Sequence, residues 1–143
     1  MLQNLHIKNL ILIEEEEITF SRGLNILSGE TGAGKSIILG ALGLALGGRT
    51  NKEMIRDESH DALVEATFTS TPEVDELLKA YDIETFDEVI LTRKLSKEKA
   101  VARINGETVP AARLKEVGAL LIDIYGQHEH QSLLGGPPVP SHR

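Results

Sequence analysis

The sequence predicts an α/β domain built on a strand, a phosphate-binding loop and a helix, followed by a mainly antiparallel β insertion. Three observations carry that expectation. The stretch GETGAGKS, residues 29–36, matches G-x-x-x-x-G-K-[ST] at every fixed position. It stands where its chemistry requires, directly after a short apolar run bounded by glycines and directly before a helical one. Further on, short segments of alternating apolar and polar residues recur between turn signals.

Taken in order, residues 2–7 form a candidate strand. Residues 10–20 place Ile11, Ile13, Ile18 and Phe20 around an acidic run, which suits a two-sided strand or a hairpin. Residues 21–23 (Ser, Arg, Gly) are a turn, and residues 24–27 are a short buried strand. A helix then spans about residues 34–46 and stops at Gly47-Gly48. It is apolar on nearly all sides (Ile37, Ile38, Leu39, Leu42, Leu44, Leu46), so it is a buried helix. Residues 61–69 alternate as a half-buried strand. Thr71-Pro72 reads as an N-cap with proline at the first helical position, opening a helix to about Tyr81. Residues 89–95 and 100–104 are two strands joined by a charged turn, and Asn105-Gly106 is the strongest short turn signal in the chain. A short helix is expected after Pro110, ending near Gly118, and residues 120–124 return as a buried strand. The tail GGPPVPSHR has no periodicity and reads as a linker, a disordered end or a foreign scar. Residues 1–134 are therefore the domain and residues 135–143 its tail.

Composition narrows the function. At 143 residues, with 41% hydrophobic and 26% charged residues, the chain fits a globular domain with a real core. It has no cysteine, so thiolate metal sites are ruled out. No basic segment followed by an apolar one opens the chain, and its longest apolar run is well short of the ~20 residues that cross a bilayer. The expectation is a cytoplasmic protein without a membrane partner. The net charge of −7 argues against indiscriminate nucleic-acid binding. The charge is uneven, however. Residues 93–116 hold seven basic side chains (Arg93, Lys94, Lys97, Lys99, Arg103, Arg113, Lys115) against Glu98, Glu107 and Glu116, a local +4. Such runs are ordinarily solvated faces. This one is also a candidate for weak, salt-sensitive DNA binding.

The loop chemistry is specific. Gly29, Gly32 and Gly34 let the backbone of Glu30, Thr31 and Ala33 wrap closely round a phosphate, where a Cβ at the glycines would collide. Successive N–H groups up to Ser36, with Ile37 behind them, then face the anion at the positive end of the helix. Lys35 is expected to reach the β- and γ-phosphates and the Ser36 hydroxyl to ligate Mg²⁺, so the expected ligands are ATP and Mg²⁺. A second motif, LLIDIYGQHEHQSLL at residues 120–134, sets Gln127 after the expected strand. A neutral amide there can ligate Mg²⁺ or orient a water without adding charge.

With those residues in view, residues 7–49 and 104–134 closely resemble the RecN family of bacterial SMC-like DNA double-strand-break repair ATPases. The likeness covers nearly all of residues 1–134. GQHEHQSLL is specific to that family, whereas the phosphate loop alone fits many ATPases. The resemblance implies the N-terminal lobe of an ABC/SMC-type head, with Lys35 and Ser36 as the Walker A pair and Gln127 as the Q-loop glutamine beside Mg²⁺ and the attacking water. It also implies a second head joined through an ATP sandwich, DNA as a partner of the full-length protein, and association with the nucleoid.

Other parts of such an engine are not among these residues. There is no LSGG-type signature, since Leu27-Ser28-Gly29 belongs to the phosphate loop. No apolar run ends in Asp-Glu as a Walker B strand does; Ile122-Asp123-Ile124 is nearest and lacks the acidic neighbour. No heptads are present. Arg56-Asp57-Glu58 departs from the family, which has glycine two residues after the arginine. The expectation is a lobe that binds Mg·ATP and needs the C-terminal half of the head for hydrolysis.

Two other classes stay open at this stage. A self-sufficient P-loop kinase or small NTPase would need an acid at a strand end, for which Asp123 is the candidate. A non-catalytic DNA-binding module would use the basic stretch. In His128-Glu129-His130 the two histidines could share a strand face for a metal but lack a third ligand. His6, His60 and His142 are isolated, and residues 9–12 sit at a bend that could face the adenine of an SMC-like head.

Overall fold

The computed structural model describes residues 1–20 and 32–134, and the side chains of residues 1–20 and 36–125. Its elements are β1 (Leu2–Leu10), β2 (Ile13–Thr19), α1 (Gly32–Ala45), a 3₁₀ turn (Lys52–Met54), β3 (Ala62–Thr69), α2 (Pro72–Ala80), β4 (Glu88–Leu95), β5 (Ala100–Ile104), β6 (Glu107–Val109) and α3 (Ala111–Leu134). The strands form one sheet in the order β2-β1-β3-β4-β5-β6, every neighbouring pair antiparallel. The strands expected as an insertion are thus continuous with the opening hairpin. The expected turn at 21–23, the strand at 24–27 and the tail at 135–143 lie outside the described residues.

Alternation sets the two faces of this sheet. Along β3, Ala62, Val64, Ala66 and Phe68 are buried, and along β4 so are Val89, Leu91, Arg93 and Leu95. Register brings Ile7, Val64, Arg93 and Ala102 into one row across four strands. Helices α1 and α3 pack on that face, contributing Ala41, Leu42, Leu44 and Ala45, and Leu114, Val117 and Leu121. His6, Lys8, Glu65, Lys94 and Arg103 alternate with these and belong to the opposite, polar face.

Local chemistry explains the punctuation. The Thr71 hydroxyl accepts from the Val74 N–H at 3.2 Å and caps α2, whose first residue is Pro72. Asn105 (φ 51°) and Gly106 (φ 87°) both adopt the left-handed conformation that a two-residue type I′ hairpin requires. The Asn105 side chain also accepts from the Ile90 N–H and donates to the Glu84 carbonyl, both at 2.9 Å. The strand after that turn, β6, is only three residues long, too short for an alternation to register in sequence.

One expectation is overturned. Residues 111–134 form a single helix, not a helix ending at Gly118 followed by a strand at 120–124. The buried positions Leu114, Val117 and Leu121 are spaced by three and four, which is one helical stripe. A strand would have put Leu120, Ile122 and Ile124 on one face, yet Ile122 is 50% exposed while the other two are half-buried. Gly118 is not a stop. A Cβ on it would strike the backbone carbonyl of Leu46, so α3 crosses the end of α1 at a point where only glycine fits.

That contact gives an expected result with a built-in control. Alanine at a free helical glycine gains about 1 kcal/mol, and Gly40, with nothing within 4 Å of an added Cβ, is such a site. Gly118→Ala should instead lose about 1–3 kcal/mol by overpacking. Urea midpoints of the two variants should move in opposite directions; movement of both the same way would contradict the close crossing.

Candidate nucleotide site

The site is built from α1 upward. This helix starts at Gly32, inside the glycine-rich motif, and its first turn contains no acidic side chain. The first four N–H groups of an α-helix have no partner within it, and the helix dipole adds positive character at that end. A phosphate therefore fits this terminus, with no carboxylate in the turn to repel it. Ser36 follows, exposed, and Ile37 is half-buried. Residues 29–31, with Gly29, Glu30 and Thr31, and the side chains of residues 32–35, Lys35 among them, lie outside the described residues.

The other end of α1 is fixed by several contacts. Gly47 (φ 105°) is the left-handed residue of a Schellman stop. Its N–H donates to Leu44 at 3.1 Å, and the Gly48 N–H donates to Gly43 at 2.9 Å. Arg93 completes the cap. Only 4% exposed, it reaches in from β4, and its Nη1 donates to the carbonyls of Leu44 at 3.2 Å and Gly48 at 3.1 Å. A cation at a helix C-terminus opposes the dipole, which favours the arrangement. Burial still lowers the pKa of this guanidinium from its ordinary value. Its Nε is buried without a partner among the described residues.

This corrects the reading of the basic stretch as one surface. Arg93 points inward and Lys94 outward because successive strand residues alternate. Lys94 pairs with Asp61 at 3.7 Å. The Arg113 guanidinium lies 3.6 Å from the centroid of the Tyr81 ring, and the Tyr81 hydroxyl donates to Glu116 at 2.6 Å, which raises the pKa of the phenol. Lys97, Lys99 and Lys115 are exposed. Six of the seven cations are thus divided among a helix cap, an ion pair, an aromatic stack and open surface, and Arg103 is half-buried on the polar face of the sheet.

The backbone of Gln127 lies on α3, not in a turn after a strand; its side chain, and those of His128, Glu129 and His130, are outside the described residues. Asp123 is also on α3, so it is not the strand-end acid that a self-sufficient NTPase would need. Among the described residues, no three or more His, Asp or Glu side chains converge as a metal site. No described helix is long and apolar enough to cross a membrane.

The bend at residues 9–12 has a structural task that sequence did not reveal. Asn9 and Ile11 both adopt φ 56°, which is costly for a β-branched residue such as Ile11. The Asn9 amide accepts from the Asp57 N–H at 2.9 Å and donates to the carbonyls of Asp57 at 2.9 Å and His60 at 3.0 Å. The Ile11 N–H donates to Met54, and the Arg56 N–H to Asn9. Within the loop so held, the Asp57 carboxylate accepts from the Ser59 hydroxyl and N–H, which lowers its pKa. The Asn9 side chain is therefore occupied in fixing the loop that carries Arg56. Ile11 and Leu12 at this bend are 38% and 78% exposed.

Comparison with known proteins places this geometry. A family model described as an AAA domain matches residues 4–131. The DNA repair protein RecN of Halalkalibacterium halodurans is 44% identical over 138 residues, covering 94% of this chain and 24% of that protein. RecN of Bacillus subtilis matches with the same identity and coverage. The chain thus spans about a quarter of the length of these relatives. A solved SMC ATPase, studied for ATP-driven dimerization and DNA-stimulated activation, superposes with a TM-score of 0.63 at 19% identity, covering 96% of this chain and 81% of that one. An Smc head bound to the C-terminal winged-helix domain of ScpA gives 0.64 at 20% identity, covering 81% of this chain and 39% of that one. Both structures share the fold: an α/β head of the P-loop, ABC/SMC type with an antiparallel sheet. The chain belongs to the AAA-domain family and is homologous to the RecN DNA repair ATPases.

Proposed function

We propose that this chain is the ATP-binding lobe of a RecN-like DNA repair ATPase head, acting in double-strand-break repair. The observation that carries the reading is a complete GETGAGKS motif running into α1, whose first turn has N–H groups without partners inside the helix and no acid. Gly29 to Gly34 would wrap the phosphates through their backbone N–H groups. Lys35 would neutralise charge between the β- and γ-phosphates, and the Ser36 hydroxyl would ligate Mg²⁺. Mg²⁺, held there by Ser36, would supply positive charge to offset that of the phosphates. Gln127 would sense the γ-phosphate and orient a water.

The proposed partners are the C-terminal half of the same head, a second head across an ATP sandwich, and DNA in the longer protein. Dimerization driven by ATP in the SMC relative supports the second of these. DNA binding by the lobe alone is expected to be weak, since the chain carries −7 and its basic residues are dispersed. The proposed location is the cytoplasm, in association with the nucleoid.

A fluorescent ATP analogue titrated into the chain tests the site. Saturable, Mg²⁺-dependent binding is expected, with affinity falling at least about a hundredfold in Lys35→Ala, consistent with loss of a charge-assisted phosphate contact of about 3 kcal/mol. Equal affinities in the two proteins would end the phosphate-loop reading.

A further inference from the structure

We infer that Arg93 is a positioning residue for nucleotide binding, setting where the first turn of α1 sits by holding the helix's far end. The inference rests on the proposed nucleotide site and extends it to a residue remote from the ligand. Arg93 comes from the middle of the sheet, in the row Ile7, Val64, Arg93, Ala102. It is nine-tenths buried, and its Nη1 bonds two carbonyls in the last turn and stop of α1. An apolar residue would have filled this position on the core face at less desolvation cost. The cation therefore does something an apolar side chain cannot: it ties backbone atoms of the helix to the sheet with direction.

The same end is clamped from its other side. A Cβ on Gly47 would lie 2.5 Å from Lys115 Cα, and Gly118 abuts the Leu46 carbonyl. The C-terminus of α1 is therefore held between β4 and α3. The helix has 14 residues, about 21 Å of stiff rod, and its other end opens in the phosphate loop. A shift at the cap moves the first turn at Gly32, because a rigid element transmits displacement from one end to the other. Sub-ångström placement of N–H groups on a phosphate governs how well they bind it.

The test compares the 143-residue chain with Arg93→Met, which keeps volume but not the fork, and Arg93→Lys, which keeps a cation able to donate to the carbonyls. Circular dichroism melts identify a temperature at which all three are folded, and Mg·ATP affinity is measured there with the fluorescent analogue. The expected result is a loss of about tenfold in Arg93→Met and partial recovery in Arg93→Lys. Lower melting temperatures with unchanged affinities in both variants would make Arg93 a stabilising residue only and overturn the inference. If Arg93→Met does not fold, Arg93→Lys alone decides: affinity equal to the parent's when folded overturns the inference, and a loss supports it. A parent chain that binds no nucleotide would overturn the phosphate-loop reading itself, a result separable from either.

Discussion

Arg93→Glu will leave the chain largely unfolded, where reversal of a surface charge would leave it intact. The carboxylate would sit against the Leu44 and Gly48 carbonyls, three acceptors with no donor between them, at the negative end of a helix. Breaking a buried charge arrangement by removing one member costs on the order of 3–5 kcal/mol, and inverting the sign adds repulsion. A domain of this size has about 5–15 kcal/mol in total. Lys94→Glu provides the contrast. Lys94 is 44% exposed by side chain and its Asp61 partner 47%, so the pair is worth about 0–1 kcal/mol and reversal should move the urea midpoint little. Denaturation of the two variants side by side checks this. Similar, small shifts would place Arg93 on the surface after all.

This pair of neighbours also marks the limit of what the sequence disclosed. In the string LTRKLSKEK, Arg93 and Lys94 are indistinguishable as charges. Only the phase of the strand, Val89, Leu91, then position 93, shows that one of them faces the core, and a core arginine contradicts the usual reading of that phase. The hairpins were legible because their signals are local: Asn105-Gly106 for a type I′ turn, and Thr71-Pro72 for a capped helix. The start and stop of α1 were legible for the same reason, through the glycine loop and Gly47.

Helix α3 was not legible. Gly118 carries a local stop signal, but its role is set by Leu46, more than seventy residues earlier in the chain. The buried stripe of α3 is likewise defined by what it meets and not by its own strand-like run of Leu, Leu, Ile and Ile. Asn9 escaped for a related reason: its partners at Asp57 and His60 are distant in sequence, and nothing near Asn9 announces them. The phosphate motif is complete in sequence because the role proposed for each of its residues uses that residue's own backbone or tip.

The second large effect concerns turnover. The chain should bind Mg·ATP and fail to hydrolyse it at a useful rate. Transfer of the γ-phosphoryl group to water needs the nucleotide held, a water oriented, and the charge spreading onto the γ-phosphate stabilised. Lys35 and Ser36 would meet the first need, and Gln127 part of the second. The sequence contains neither an apolar run ending in Asp-Glu, to place a carboxylate beside the water, nor an LSGG-type signature outside the phosphate loop, to cap the γ-phosphate; Asp123, the nearest acid by motif, lies on the helix α3. Pairing two copies supplies neither group. Electrostatic contributions of this type are worth several powers of ten in rate, so the shortfall should be orders of magnitude.

The most direct measurement is phosphate release from the chain alone, from the C-terminal half of a RecN head alone, and from their mixture. The expected result is background from each part and steady turnover from the mixture, reduced when Gln127→Ala replaces the parent chain while its ATP binding is largely kept. Steady turnover by the chain alone, absent from Lys35→Ala prepared in the same way, would contradict the account and identify a self-sufficient NTPase.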